Sequence, residues 1–289
     1  MITSDSFHDY TLLDAGGEEK LEVWKDVVLC RPDPLAIWPK EKEDLWKKAD
    51  AVYHRSNKGG GSWEIKKKIK DEWTVQYKEL TFKVSPTSFK HTGLFPEQAA
   101  NWDFIDDKIR HSSLKDIHIL NLFAYSGAAT MVAAAAGASE VVHVDASKGM
   151  ITWAKENQEL SHLQDKKIRY LVDDCLKFLR REVRRGRKYQ GIIMDPPSYG
   201  RGPDGEVFKF EEKINPLIEE CLKLLADDAL FYIINTYTTG YSPTVMENVL
   251  RRQMEKTGLK GVITADEIGI RIKDSDTILP CGQTTRWER

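Results

Sequence analysis

The chain has 289 residues, 41% of them hydrophobic and 30% charged, with 19 Gly, 11 Pro and 4 Cys. That suits one large domain beside a small one, with a core that needs no disulfide or metal staple, and it excludes low-complexity, collagen-like and disordered chains. With 43 Lys+Arg against 45 Asp+Glu the formal charge is −2, which excludes a polybasic wrapper of duplex nucleic acid while leaving room for an enzyme with one basic face.

Met1-Ile2-Thr3-Ser4-Asp5-Ser6 has neither the cationic start nor the apolar core of a signal peptide. Residues 1–85 read as a small β-rich domain, with short runs at Tyr10–Leu13, Lys20–Trp24 and Val27–Cys30 and a hairpin turn expected at Gly16-Gly17. Gly59-Gly60-Gly61 and the alternating runs W-T-V-Q-Y and L-T-F-K-V follow. Trp24, Trp38, Trp46, Trp63 and Trp73 all lie here, beside Lys66, Lys67, Lys68 and Lys70. Such a mixture serves as core filler with a solvated Lys face; its functional counterpart is a surface that stacks and clamps single-stranded RNA, which would give this domain a substrate-binding role.

From Pro96 the texture changes to alternating helices and apolar strands. A helix at Glu97–Arg110 leads into the strand I-H-I-L-N-L-F, an Ala-rich helix, the strand V-V-H-V-D and a helix at Met150–Leu163. The strand I-R-Y-L-V, a helix at Cys175–Arg185 and the strand G-I-I-M-D come next. A helix at Ile214–Leu225, the strand L-F-Y-I-I-N, a helix at Pro243–Lys256 and a β-like tail complete the run. This alternation predicts an α/β fold over residues 86–289, with a parallel sheet covered by helices on both faces. Ile119–Ser139 carries no charge, yet Asn121, Ser126 and Gly127 break it, so it reads as strand, turn and buried helix rather than a membrane span.

Sheets of this kind bind ligands at the carboxyl ends of their strands, and the chain concentrates its informative residues there. After the first strand comes N-L-F-A-Y-S-G, a small-residue turn through Phe123, Ala124, Tyr125 and Gly127 that lets a ligand approach the backbone. It lacks G-x-G-x-x-G and so suits a ligand that depends little on phosphate. Asp145, followed by Ala146, ends the second strand, where a carboxylate can accept both ribose hydroxyl protons. Asp173 and Asp174, ahead of Cys175, follow the third strand, where a carboxylate can receive an adenine amino group. The fourth strand delivers Asp195-Pro196-Pro197-Ser198-Tyr199. Each strand-terminal Asp alone reads equally as a helix N-cap; the ordered set carries the signal.

These motifs, N-L-F-A-Y-S-G, V-D-A-S, D-D-C-L-K-F-L and D-P-P-S-Y, resemble those of class I S-adenosylmethionine-dependent methyltransferases. More narrowly, they are similar to the ribosomal-RNA large-subunit methyltransferase family that contains cytosine carbon-5 and guanine nitrogen enzymes. The resemblance covers roughly Val84–Arg289 and implies a Rossmann-like domain with a mostly parallel seven-stranded sheet. It implies that Phe95 and Gln98 of T-G-L-F-P-E-Q help to wall the cofactor pocket. It also implies that the Phe123–Gly127 backbone holds the methionine part, Asp145 the ribose and Asp174 the adenine. Asp195, Pro196 and Pro197 would line the place where target atom meets methyl, Asp195 touching the cofactor as well, with Tyr199 stacking on an extruded base.

One departure matters. The family's carbon-5 enzymes place a nucleophilic Cys after the fifth strand, where this chain reads Asn235-Thr236-Tyr237-Thr238-Thr239-Gly240. A Thr hydroxyl is a poor substitute at neutral pH, so nitrogen or oxygen acceptors are favoured. Residues 160–190 hold ten basic against four acidic side chains, a local +6. Its Arg180, Arg181, Arg184 and Arg185 read either as a grip on RNA phosphates or as cations complementing a helix end. Scattered cysteines without C-x-x-C fit reduced thiols in the cytoplasm, and with no H-x-x-x-H pair a metal is not expected. The expected function is therefore methyl transfer from S-adenosylmethionine to RNA, ribosomal RNA foremost. The alternatives are a protein or small-molecule methyltransferase and an RNA-binding module that has lost catalysis.

Overall fold

The computed structural model describes residues 1–56, 60–87 and 90–289; Gly59 of the triple glycine lies outside them. One compact unit comprises Ile2–Ala100 with Ile268–Cys281, the other Met1, Asn101–Glu267 and Gly282–Arg289. The sequence reading divides the chain near residue 85, whereas the N-terminal unit runs on to Ala100. Two hydrogen bonds show why: Ser85 N donates to the Thr92 carbonyl (3.0 Å) and Arg31 Nη1 to the Lys90 carbonyl (2.7 Å).

In the N-terminal unit, strands β1 (Tyr10–Gly16), β2 (Glu19–Trp24), β3 (Val27–Pro32), β4 (Ala51–Arg55) and β5 (Gly61–Ile65) form one sheet in that order, with the short helix α1 (Glu43–Trp46) between β3 and β4. Strands β6 (Trp73–Tyr77) and β7 (Leu80–Val84) make a separate hairpin. The β1–β2 turn is Gly17-Glu18, one residue later than the sequence suggests; both residues have positive φ (58° and 61°), the two-residue geometry that matches strand twist. Of the five tryptophans, Trp24 lies in the core and Trp38, Trp46, Trp63 and Trp73 are half-buried. Trp24 is fully buried, edge-on to Tyr10 (4.7 Å between ring centroids) and Phe7 (6.2 Å). The indole N–H groups of Trp38, Trp46, Trp63 and Trp73 donate to Ala15 O, Asp14 Oδ2, Thr87 O and Trp24 O.

The 3-10 turn Pro96–Gln98 leads into α2 (Ala99–Arg110). The C-terminal unit then alternates β8 (His118–Leu122), α3 (Ala128–Ala136), β9 (Glu140–Asp145), α4 (Lys148–Leu160), β10 (Ile168–Val172), α5 (Cys175–Arg184) and β11 (Gly191–Met194). A small ribbon, β12 (Tyr199–Arg201) and β13 (Val207–Lys209), precedes α6 (Phe210–Leu224), β14 (Phe231–Thr236) and α7 (Pro243–Met254). Strands β15 (Val262–Arg271) and β16 (Ile278–Glu288) close the chain. The seven-stranded sheet has the order β10-β9-β8-β11-β14-β16-β15; β10 to β14 are parallel and β16 is antiparallel to β14. Right-handed crossovers leave β8 in one direction through α3 and leave β11 in the other through α6, which puts those helices on opposite faces. The order reverses between β8 and β11, so a crevice opens beyond their carboxyl ends. The uncharged segment resolves into β8, a turn and the nine-residue α3. No helix among the described residues is long and apolar enough to cross a membrane.

Sequence reading missed the β12–β13 ribbon and began α6 four residues late. The segment Gly200–Gly205 is polar and rich in Gly and Pro, and three-residue strands are too short to show a period.

Glu22 is the most constrained charge in the N-terminal unit. It is completely buried on β2, where it accepts the Tyr10 hydroxyl (2.9 Å) and a two-pronged contact from Arg31 Nε and Nη2. Burial pushes its pKa up, but Arg31 and Lys20 outweigh burial and hold it below the usual carboxylate value. Stability from the ionised pair is present at neutral pH and is lost as pH falls through that lowered pKa. Replacing Glu22 with Ala leaves a buried guanidinium without its carboxylate and should cost about 3–5 kcal/mol in urea unfolding at pH 7, whereas Glu22→Leu with Arg31→Met should recover most of it. A single-variant loss under ~1 kcal/mol would contradict this role.

Candidate active site

The loop after β8 supplies the most unusual backbone in the C-terminal unit. Phe123 and Tyr125 both adopt left-handed conformations (φ 54° and 52°), followed by Gly127 at φ 88°. Side chains rarely accept such dihedrals, and a surrounding structure must over-determine them. Ala124 N donates to Val144 O (3.1 Å), Gly127 N to Ala124 O (3.0 Å), and Asn157 Nδ2 to Ser126 O (2.9 Å). A Cβ at Gly127 would lie 3.0 Å from the Ala154 Cβ, so glycine satisfies both the dihedral and the close approach of α4. Gly127 is also the residue from which α3 begins.

Asp145, at the end of β9, fastens this loop. Its Oδ2 accepts Tyr125 N (2.9 Å) and its Oδ1 accepts Ser147 N (2.8 Å). Burial raises its pKa and the two backbone donors oppose that rise. The N-cap of α4 is Ser147, not Asp145, so simple capping does not explain the carboxylate. Each of its oxygens retains a lone pair beyond these bonds, the chemistry needed to accept two ribose hydroxyls. Ala146, half-buried, joins the two residues.

Asp173 N donates to Asp145 O (3.1 Å), so the ends of β9 and β10 are joined. The Asp173 carboxylate pairs with Arg181. Asp174 is the N-cap of α5, its Oδ1 accepting Lys177 N (2.8 Å); capping thus occupies one oxygen and leaves Oδ2 for a ligand amino group. Cys175 is buried, and burial pushes its thiol well above the ordinary value. Asp195 N donates to Leu122 O (3.4 Å), which sets the Asp195-Pro196-Pro197 turn beside the β8 loop across the switch point. Pro196 is buried and Pro197 exposed. Tyr199 is 58% exposed, so packing into the core is not its role.

Phe95 and Gln98 belong to the N-terminal unit. The Phe95 ring lies 5.3 Å from that of His91, and the nearly buried Gln98 donates its backbone N–H to Phe95 O (3.0 Å). The other candidates lie on the strand-end loops of the C-terminal unit.

Three sets of contacts among these loops are not readable from the sequence. Phe208 of β13 packs edge-on against Phe123 (5.3 Å), and the Ser198 and Thr238 hydroxyls share a hydrogen bond (2.9 Å) that links the D-P-P-S turn to the loop after β14. Lys177 on α5 pairs with Glu206 and with Asp204 (3.4 Å). The aromatic at 208 was the available signal, but without the ribbon it had no address. Among the described residues no group of His, Cys, Asp and Glu could hold a metal ion.

The comparisons with known proteins agree with this geometry. The model of the S-adenosylmethionine-dependent methyltransferase family matches residues 51–251. A ribosomal RNA large subunit methyltransferase K/L from Shewanella frigidimarina is 31% identical over 174 residues, 60% of this chain and 22% of that protein. A ribosomal RNA large subunit methyltransferase K from Neisseria meningitidis is 28% identical over 179 residues, 62% of this chain and 49% of that protein. The chain thus spans half or less of the length of these curated relatives. The crystal structure of a SAM-dependent methyltransferase from Agrobacterium tumefaciens superposes with TM-score 0.94 at 35% identity, over 99% of this chain and 92% of that one. A SAM-dependent methyltransferase from Streptococcus mutans, 18% identical, shares the fold at TM-score 0.73 over 99% of this chain and 76% of that one. Motif order, sheet topology and these matches converge: the chain belongs to the S-adenosylmethionine-dependent methyltransferase family.

Proposed function

We propose that the protein methylates a nitrogen of a base in RNA, with ribosomal RNA as the substrate class. The observation that carries the proposal is the pairing of a ribose-ready Asp145 with an Asp-Pro-Pro turn that ends in an exposed tyrosine. Asp145 Oδ1 and Oδ2, already fixed by two backbone donors, hold the ribose hydroxyls, and Asp174 Oδ2 takes the adenine amino group. The backbone from Phe123 to Gly127 receives the methionine part. Bound S-adenosylmethionine supplies a sulfonium methyl open to in-line displacement. The protein's contribution is then orientation. Asp195 and the Pro196 carbonyl accept hydrogen bonds from the target amino group and aim its lone pair, the proton shed by the methylated nitrogen leaves through the Asp195 carboxylate to solvent, and Tyr199 stacks on the base.

Nitrogen is favoured over cytosine carbon 5 because no thiolate is to hand. Cys30 and Cys221 are pushed up to about 12 by burial, and Cys175 and Cys281 are raised well above the ordinary thiol value by the same cause. The end of β14 and the loop after it offer Thr236, Thr238 and Thr239 instead. RNA as the substrate class is supported by the names of the curated relatives and by the basic helix α5. There Lys177, Arg181 and Arg185 are paired with Glu206, Asp173 and Glu182. Arg180 and Arg184, one turn apart, are exposed with no carboxylate partner among the described residues. In the N-terminal unit Trp24 is buried and the other four Trp residues are half-buried, so a substrate-holding role there would draw mainly on exposed lysines such as Lys68 and Lys70.

Tritiated-methyl transfer to total RNA should label RNA with the wild-type protein and fall at least roughly a hundredfold with Asp195→Ala, since loss of an aligned acceptor commonly costs that much. Label in protein but not RNA would overturn the substrate class. Ribose hydroxyls prefer a carboxylate to a carboxylic acid, and the pKa of Asp145 is raised. Cofactor affinity should therefore be full at neutral pH and fall on acidification from above the usual carboxylate range, a dependence absent in Asp145→Ala. Arg180→Gln with Arg184→Gln should make the salt dependence of RNA binding shallower by about 0.7–0.9 log units per lost phosphate contact, without changing cofactor affinity. An unaltered slope would remove α5 from the RNA surface.

A further inference from the structure

His143, the antepenultimate residue of β9, is completely buried beneath the loop that Asp145 fastens. It is the only histidine among the described residues in the hydrophobic heart of this unit, and its surroundings are specific. Asn121 Nδ2 on β8 donates to Thr130 Oγ1 on α3 (3.0 Å), and Thr130 Oγ1 meets His143 Nδ1 (2.9 Å). The ring stands edge-tilted to Tyr170 at 5.2 Å, and its Cε1 would be 3.4 Å from a Cβ on Gly127. Burial holds the imidazole neutral, with its pKa pushed down to about 3 against a small opposing effect of the Tyr125 backbone.

A neutral imidazole carries one proton, and the site decides which nitrogen has it. With Nδ1 as the acceptor of the Thr130 hydroxyl, Nε2 carries the hydrogen and faces the Tyr125 carbonyl. The opposite tautomer would set a bare Nε2 lone pair against that carbonyl. Nε2 is nevertheless buried with no hydrogen bond of normal geometry among the described residues. A buried donor left in that state is costly, and such groups mark places where a partner arrives.

We propose that His143 is a positioning residue for the cofactor loop. Its Nε2–H lies beneath Tyr125 as a buried donor, and the Tyr125 carbonyl closes onto it when the loop tightens around an adenosyl ligand. The chain Asn121–Thr130–His143 fixes the ring from below, and Asp145 fixes the Tyr125 N–H from the side. With the loop closed, the left-handed Tyr125 residue is held at both its N–H and its carbonyl. The closing step, and with it the hold on the Tyr125 carbonyl, rests on the cofactor-binding role proposed above; the tautomer does not.

Nitrogen NMR of the ligand-free protein at pH 7 should show His143 with a bare Nδ1 and a protonated Nε2. An Nδ1–H tautomer or an imidazolium overturns the proposal. With S-adenosylhomocysteine bound, hydrogen exchange at the Tyr125 amide should accelerate in His143→Phe and stay near wild type in His143→Gln, whose amide can restore a donor at the Nε2 position. Equal exchange in all three overturns it. Added S-adenosylhomocysteine should shift the Nε2–H resonance, and a bound ligand that leaves that resonance in place also overturns it. In turnover, His143→Phe should raise KM for S-adenosylmethionine roughly tenfold with kcat within about threefold, and His143→Gln should restore it. Should the wild-type protein bind no adenosyl ligand, the functional reading fails, while the ligand-free NMR result still decides the tautomer of His143.

Discussion

The site depends on one carboxylate serving two backbones. Asp145 accepts an N–H from the β8 loop and another from the turn that starts α4, and both bonds are within 2.9 Å. The first holds Tyr125 in a conformation that costs about 1–2 kcal/mol for a residue with a side chain. The second turns the chain sharply into Ser147, the cap of α4. A single side chain therefore sets the spacing between two strand ends, and does so while buried enough that its own charge is disfavoured. That burden is typical of a group maintained for a ligand rather than for stability.

Around this point the strand ends are joined in series. Asp173 N bonds Asp145 O, Ala124 N bonds Val144 O, and Asp195 N bonds Leu122 O. Four loops from β8, β9, β10 and β11 consequently behave as one rim. On the far side the ribbon rises from Tyr199 and is attached through Phe208 to Phe123 and through Glu206 to Lys177. The acceptor turn, the cofactor loop and the first turn of α5 thus share contacts. A change in one reaches the others through hydrogen bonds and packing rather than through a flexible link.

Much of this was legible in the sequence because it follows from period and punctuation. Uncharged I-L-N-L and V-V-H-V read as interior parallel strands, and Asp145, which follows the second, projects from its carboxyl end. The identity of the turn at Phe123–Gly127 was visible, but not its two left-handed non-glycine residues, since no residue type announces that conformation when a neighbour imposes it. The ribbon was invisible because three-residue strands carry no periodic signal. The division at Ala100 was hidden for another reason: Arg31, distant in sequence, holds Lys90. The five tryptophans show the limit of composition, because a Trp–Lys mixture has the same appearance whether its rings pack or stack.

Isothermal calorimetry of S-adenosylhomocysteine against wild type, Asp145→Ala and Asp195→Ala tests the central claim most directly. The account predicts one-site binding to the wild-type protein, loss of at least roughly tenfold in affinity for Asp145→Ala, and a clearly smaller loss for Asp195→Ala, whose main role is at the acceptor. Equal affinity in wild type and Asp145→Ala, with both proteins folded, would contradict it.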